Sequence, residues 1–170
     1  RSGRLSAQVD PSVELLSNNR INLIFKIDEA DVLKVSKISI IGNKVFSDSN
    51  IRKIMSTKKS SVLKFWSSAN TYDPDRVEYD KELIKQLYNK NGYVNFTFTS
   101  ALTQLVKNKF EIIFSVSEGE QYYFGDIDVV TKLNKLDSNT LTDLLSNNTG
   151  EIFNSDTIKD NVKYIKDYLL

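Results

Sequence analysis

The chain has 170 residues, of which 40% are hydrophobic and 26% are charged, and its formal net charge is +1. This composition is typical of folded globular proteins, and no stretch approaches the roughly 18 apolar residues that a membrane-spanning helix needs. The chain contains no cysteine and no histidine, which excludes disulfides, Cys/His metal sites and catalytic triads with an imidazole base. We therefore expect no enzyme, no bound metal and no cofactor. The balanced charge argues against a nucleic-acid surface, which is usually strongly basic.

Both ends of the sequence suggest that it is a piece of a longer protein. The first residues, Arg1 to Arg4, are not followed by the apolar run of a signal peptide. The last residues, Tyr164 to Leu170, lie within an apolar helical pattern that has no C-cap residue.

An internal repeat organises the chain. Segment 21–29 reads against segment 110–118, and 37–40 reads against 126–129, both with a spacing of 89 residues. Two further pairs of similar segments follow in the same order. They are 49–54 with 139–144, and 72–77 with 153–158. Four ordered matches predict three parts: the last strands of a preceding unit at 1–31, one whole unit at 32–120, and the start of a following unit at 121–170.

The first half of the whole unit reads as a strand followed by two helices. The β-branched run Val35–Ile41 ends at Gly42-Asn43, which predicts a strand and a turn. Ser47-Asp48 can cap a short helix. Asp73-Pro74 is a strong helix start, because the carboxylate accepts free amides and proline needs no donor at the first helical position. Asn91-Gly92 is typical of a left-handed helix end.

The second half reads as two strands. Apolar and polar residues alternate from Tyr93 to Ala101, and again from Phe110 to Val116, with Asn108-Lys109 as the turn between them. The order βααββ predicts an α+β unit with a three-stranded mixed sheet that is covered on one face by two helices. The expected core consists of these residues: Ile38, Ile40, Ile51, Ile54, Val77, Ile84, Leu87, Phe96, Phe98, Ile112, Phe114 and Val116.

The unit resembles a POTRA domain of the BamA family. The resemblance rests on three segments: residues 38–47 (ISIIGNKVFS), which open the unit, 87–93 (LYNKNGY), which close its second helix, and 116–122 (VSEGEQY), which lead into the next copy. One departure is that the second copy has Thr131-Lys132 where the first has Gly42-Asn43. The aromatic segment 62–66 is similar to the long loop between the helices of the third POTRA, so 32–120 is interpreted as third-like and 121–170 as a truncated, fourth-like unit.

The resemblance implies a place and a role. Proteins of the family carry a periplasmic string of POTRA units ahead of a C-terminal outer-membrane barrel, and they insert barrel proteins into the outer membrane of Gram-negative bacteria. It implies three partners, namely unfolded barrel precursors, accessory assembly lipoproteins and the protein's own barrel. In the family, the middle strand of the unit lies at a sheet edge and accepts extended peptides. The matching residues here are Asn95, Phe96, Thr97, Phe98, Thr99 and Ser100. The alternative is that a neighbouring loop covers this edge.

Two other sets of residues allow more than one interpretation. Phe65 and Trp66, in a polar loop, either contact a partner or fold back onto their own domain. Four carboxylates between Asp73 and Asp80 are more simply explained by the helix dipole than by acid–base catalysis, as in a glycosidase. A passive structural spacer, or the POTRA region of a related secretion or import barrel, remains the alternative to a docking scaffold.

Overall fold

The computed structural model describes residues 7–29, 33–60, 70–131, 138–146 and 148–170. The strands are β1 (Ala7–Leu16), β2 (Arg20–Glu29), β3 (Val35–Ile41), β4 (Thr97–Val106) and β5 (Lys109–Ser117). The helices are α1 (Asp48–Ile54), α2 (Pro74–Asn89), α3 (Ser138–Thr142) and α4 (Ser155–Leu169). None of the helices in these described ranges has both the length and the apolar character needed to cross a bilayer.

Strands β3, β5 and β4 form one three-stranded sheet in that order, with β5 in the middle. β5 is parallel to β3 and antiparallel to β4, and Phe114 lies between Ile40 on one side and Ala101 on the other. α1 and α2 cover one face, where alternate residues of β5 are buried. The predicted fold class, an α+β unit with a mixed sheet and helices on one face, is confirmed.

The core of this unit lies between the two helices and the sheet. Its fully buried centre is made of four large side chains and their neighbours: Ile51, Ile84, Tyr88 and Phe114. Of the predicted core, Leu87 and Phe98 are only partly buried. The prediction for Ile54 is wrong, because this side chain is 37% exposed. Met55 is buried instead, since α1 ends at Ile54 and the extended backbone that follows turns the next side chain inward.

The predicted helix starts are confirmed by their hydrogen bonds. The Ser47 side chain accepts the amide of Asn50, and the Asp73 carboxylate accepts the amides of Asp75 and Arg76. The end of α2 differs in detail from the prediction. The helix ends at Asn89 and Lys90 is its C-cap, so the left-handed residue, Gly92 with φ +87°, lies two positions beyond the cap.

Asp80, one of the four clustered carboxylates, is completely buried in the apolar stripe of α2. Its two oxygens accept the backbone amides of Ser56 and Thr57, which directly follow α1. Asn161 occupies the corresponding place in α4, 81 residues later, and its side-chain oxygen accepts the amide of Ser146 after α3. In both places, a side-chain oxygen of the long helix therefore accepts a backbone amide from the segment after the short helix.

The hairpin of β1 and β2 is a separate two-stranded sheet with one apolar face. Residues directly opposite each other share a face of the sheet, and four such pairs make this face: Val9 with Ile27, Pro11 with Phe25, Val13 with Leu23, and Leu15 with Ile21. The seven large side chains of this set are each at least 51% exposed. We call this set the hairpin face.

Residues after 119 form a second cluster around α4. Phe124 exchanges backbone hydrogen bonds with Glu151 and Gly150, and Tyr123 forms an isolated bridge with Ile152. Segment 126–129, which matches β3 in the repeat, forms no strand ladder with any described residue.

Candidate strand-addition edge

The candidate site is the outer edge of β4, which we call the open edge. The predicted strand, Tyr93 to Ala101, overlaps β4 only in part, because β4 begins at Thr97 and continues to Val106. Of the six site residues predicted from the resemblance, Asn95 and Phe96 precede the strand, whereas Thr97, Phe98, Thr99 and Ser100 form its first part.

Residues 93–96 are held in a turn because their backbone groups complete the end of α2. The amide of Tyr93 donates to the Tyr88 carbonyl, and the amide of Phe96 donates to the Tyr93 carbonyl. The Phe96 ring is buried and stacks on the Tyr88 ring with 4.0 Å between centroids. The Asn95 side chain donates to the Tyr122 hydroxyl at 2.8 Å. These contacts anchor the start of β4 to the helix layer.

The sequence predicts an end of this strand at Ala101 and a turn at Asn108-Lys109, whereas β4 continues to Val106. The turn consists of Lys107 and Asn108, both with positive φ, and Lys109 already belongs to β5. Two residues with positive φ make the type of turn that matches the twist of a hairpin. Such a turn requires paired strands directly on both sides, so strand structure next to Phe110 implied strand structure back to Val106.

The register shows which backbone groups of β4 point outward. Val106 and Lys109 flank a two-residue turn and form a hydrogen-bonded pair, after which non-bonded and bonded pairs alternate along an antiparallel ladder. Leu102, opposite Ile113, therefore directs its amide to β5, whereas Thr103 directs its amide away from the sheet. The register shifts between Phe98 and Ser100, so a bulge interrupts the ladder near the start of the strand.

The opposite edge of the sheet, β3, is occupied by other parts of the unit. The carbonyl of Leu33 accepts the amide of Tyr72 at 2.9 Å, and the carbonyl of Val35 accepts the amide of Ser60 at 2.8 Å. Arg52 donates to the carbonyl of Ile38 at 3.1 Å. No backbone bond from another described segment reaches the outer edge of β4. Among the described residues, the two edges of this sheet are thus clearly different.

β4 is an uncharged strand along its whole length. The strand TFTSALTQLV contains no charged residue and no proline, although charges and prolines are the usual means of keeping an edge strand from pairing. Leu102 and Leu105 are more than half exposed. The Lys81 ammonium of α2 lies 5.9 Å from the centre of the Phe98 ring. The strand therefore offers backbone groups and modest apolar contacts.

A carboxylate at the end of β5 holds the loop before α1 and the helix α2 to the sheet. One oxygen of Glu118 accepts the Tyr88 hydroxyl at 2.7 Å and the amides of Lys44 and Val45 at 2.9 and 3.0 Å. Burial, followed by the hydrogen bond to Glu118, raises the pKa of Tyr88. Gly42 has φ +94°, and a side chain there would collide with the carbonyl of Val116.

The aromatic loop and the clustered carboxylates, which were also considered from the sequence, form no second candidate site among the described residues. Phe65 and Trp66 lie outside the described residues, so their contact with a partner stays a prediction. Within the described ranges, no three carboxylates are grouped as metal ligands.

Comparison with known proteins identifies related sequences over most of the chain. Residues 33–119 match the family model for POTRA, described as surface antigen variable number repeat. The outer membrane protein assembly factor BamA of Neisseria meningitidis serogroup B is 28% identical over 151 residues, which cover 88% of this chain and 19% of that protein. BamA of Neorickettsia risticii is 22% identical over 146 residues, which cover 86% of this chain and 20% of that protein. The chain thus spans about a fifth of the length of these relatives.

A solved structure shows a similar fold. The crystal structure of Haemophilus influenzae BamA POTRA3-5 superposes with a TM-score of 0.57 at 16% sequence identity. The superposition covers 98% of this chain and 63% of that one.

Proposed function

The chain belongs to the POTRA family, and from this premise we propose that it is a periplasmic docking region of an outer-membrane β-barrel assembly factor. In this role it binds unfolded barrel precursors, which add a strand to the open edge. The two relatives are outer membrane protein assembly factors, which supports a role in this class of process. The observation that carries the proposal is the difference between the two edges of the sheet. Among the described residues, other parts of the unit bond to the outer edge of β3, whereas the outer edge of β4 has no backbone partner.

Strand addition suits the clients of such a factor. A barrel protein consists of segments of about 10 residues in which apolar and polar side chains alternate, and in the unfolded protein their backbone groups are not yet paired with another strand. β4 offers 10 residues of strand. Bonds between backbones are nearly independent of sequence, so one edge can serve many precursors.

Accessory lipoproteins and the protein's own barrel are further proposed partners. They would contact surfaces other than the open edge, and the segment with Phe65 and Trp66 is a proposed contact for a partner. The placement of the unit in the periplasm follows from the same proposal.

A passive spacer is the second candidate, and the contacts between the unit and the residues after it favour this function. The amide of Tyr122 donates to the carbonyl of Gly92 at 2.8 Å, and the Lys90 ammonium lies 2.6 Å from the Asp156 carboxylate. A spacer needs such a stiff connection between units, but it does not need an edge strand without charged residues or proline, as β4 is.

The test uses proline at two neighbouring positions of β4. Thr103→Pro removes an outward amide, which an edge strand tolerates, whereas Leu102→Pro removes an amide bonded to β5. The probe is a synthetic ten-residue peptide with the alternating pattern of barrel strands, titrated into the ¹⁵N-labelled chain. We expect saturable shifts along β4 in the parent chain and at least a tenfold weaker response in the Thr103→Pro variant.

Two controls separate loss of binding from loss of fold. The Thr103→Pro variant should keep the dispersed amide spectrum of residues 33–119, whereas Leu102→Pro should lose it. A version of the peptide with two adjacent prolines in each half loses amides on both of its edges and should give no saturable shifts. Unchanged binding by the folded Thr103→Pro variant would rule out strand addition at this edge. A parent chain that shows no saturable shifts at all would support the spacer.

A further inference from the structure

The open edge is not uniform along β4. Its residues 101–105, which we call the distal segment, are all exposed, on both faces of the sheet. Phe98, near the start of the strand, is packed against the core of the unit. We propose that an added strand pairs with the distal segment alone, so that the site fits a short extended segment of about six residues rather than a whole barrel strand. This inference rests on the proposed function and defines the length of ligand that the open edge accepts.

The bulge divides the outward backbone groups of β4 into two sets. Ala101, Thr103 and Leu105 direct their amides away from β5, because they alternate with the bonded pairs of the ladder. The register shift after Phe98 inserts Thr99 as an extra residue, so the preceding outward amide, that of Phe98, lies three positions before Ala101. A regular strand presents its groups at every second residue and cannot follow both sets. A bulge also increases the local twist, and it is one means by which edge strands avoid pairing.

The start of β4 is also in contact with other parts of the chain. The Phe98 ring packs edge-on against the Phe96 ring, with 5.2 Å between centroids, and the Lys81 ammonium lies 5.9 Å from its centre. Two residues before the strand, Asn95 donates to the Tyr122 hydroxyl. A charge beside an edge strand disfavours pairing with a further strand. An added strand that continued past the bulge would therefore meet a cation and the segment around Tyr122.

The distal segment offers one exposed leucine on each face. Leu105 opposes Phe110 and lies on the face where alternate residues of β5 are buried. Leu102 opposes Ile113 and lies on the other face. Leu105 and Leu102 are 54% and 59% exposed. A ligand with alternating side chains can thus place its apolar residues on either face of the sheet.

The turn sets the other limit of the site. Lys107 and Asn108 both have positive φ, and the chain leaves the edge there. Between the bulge and this turn, the outward groups from Ala101 to Leu105 span four steps of about 3.4 Å, which is about 14 Å. A ligand of about six residues covers this length, and a longer ligand gains no further backbone bonds.

The test compares two synthetic peptides with the same alternating pattern, one of about six residues and one of about ten, both capped at their ends. Each is titrated into the ¹⁵N-labelled 170-residue chain. We expect dissociation constants that agree within about threefold, and protection from exchange at Ala101, Thr103 and Leu105 but not at Phe98. A longer peptide that binds about tenfold more tightly than the shorter one, or that protects Phe98, would overturn the proposal.

Deletion of Thr99 provides a second measurement. It removes the extra residue and leaves the partners of β4 along β5 unchanged, so outward amides should recur at every second residue from Phe98 to Leu105. We expect the longer peptide to bind this variant about tenfold more tightly than the parent, and the shorter peptide to bind both equally. Thr99→Ser keeps the extra residue and is the matched control, which should behave like the parent. Equal binding of the longer peptide by the deletion variant and the parent would contradict the limit set by the bulge. The amide spectrum of residues 33–119 shows whether each variant is folded, and the comparison of the two peptides on the parent decides without the deletion.

Failure of this inference and failure of the proposed function give different results. Thr103→Pro should weaken both peptides equally, by about tenfold or more. If it does so while the longer peptide binds the parent much more tightly than the shorter one, docking at the open edge is correct and the limit to a short segment is wrong. If neither peptide gives saturable shifts, the proposed function fails and the distal segment is not a docking site.

Discussion

At the scale of single residues, two carboxylates of this unit, the buried Asp80 and the half-buried Glu118, accept backbone amides on either side of α1. Asp80 accepts two amides after α1, and Glu118 accepts two amides before α1 together with the Tyr88 hydroxyl. Both carboxylates hold α1 in place from opposite ends. A buried amide without a partner costs about 1–3 kcal/mol, so the contacts of Asp80 are important for the stability of the unit.

Replacing Asp80 separates the need for an acceptor from the need for a charge. Asp80→Ala should destabilise the unit by about 2–5 kcal/mol, because two amides lose their acceptor in the interior. Asp80→Asn keeps one acceptor oxygen, as Asn161 does in the second copy, and should cost about half as much or less. Chemical denaturation of both variants measures the two losses. Equal losses would show that the charge itself is required.

The Tyr88 hydroxyl predicts how stability changes in alkaline solution. Its pKa is raised in the folded chain, mainly by burial, and is about 10 in the unfolded chain. Above pH 10 the unfolded state therefore loses this proton first, and stability should fall by up to about 1.4 kcal/mol per pH unit from this residue. Below pH 10 the contribution is fully present. Denaturation at pH 9 and pH 11 should show a steeper decrease for the parent than for Tyr88→Phe, and parallel decreases would contradict the assignment.

At the scale of elements, the two sides of β4 should differ in amide exchange. The amide of Leu102 is bonded to β5, whereas that of Thr103 points outward. Exchange followed by NMR should therefore be slow at Leu102, near the rate of global unfolding, and faster by several orders of magnitude at Thr103. The peptide of the binding test should slow exchange at Thr103 and leave Leu102 unchanged. Slow exchange at both positions in the free chain would show that the open edge is already covered.

The sequence predicted those elements whose signals are local. Asp73-Pro74 and Ser47 predicted helix starts because a cap depends only on neighbouring residues. The bounds of β4 could not be predicted in this way. The pattern from Val94 to Phe98 alternates like a strand, but its first residues follow α2 and are held by Tyr88 and Tyr122, which no local pattern shows.

The sheet places β4 at an edge, whereas the binding of a peptide at the predicted site residues stays a prediction. The resemblance indicated an edge strand at Asn95–Ser100. The outward amides available for pairing extend to Leu105 because the turn lies at Lys107 and Asn108. The covered edge of β3 could not be predicted, since its partners, Ser60 and Tyr72, are distant in sequence and carry no pairing signal.

At the scale of the whole molecule, Gly92 connects the unit with the residues that follow it. A Cβ atom there would lie 2.8 Å from the Tyr122 carbonyl oxygen and 3.0 Å from a methyl group of Ile152. Gly92→Ala should therefore displace the 121–124 segment and widen the distribution of distances between the two parts. Spin labels at Lys53→Cys and Lys163→Cys measure this distribution, since the chain has no other cysteine.

Gly150→Ala is the control for backbone strain at this connection. Gly150 also has a positive φ, +85°, but a Cβ atom there would meet nothing within 4 Å. If both variants widen the distance distribution equally, strain rather than the close approach of Gly92 to Tyr122 is responsible.

The correspondence between Asp80 and Asn161 has a consequence for the divergence of such units. The two copies share few identical residues, yet each interrupts the apolar stripe of its long helix with one oxygen acceptor, three positions after Val77 and Ile158 respectively. What the two helices share at this place is an oxygen acceptor for a backbone amide that follows the short helix. A relative with little residue identity should still be detectable by this single polar interruption in an otherwise apolar helix face.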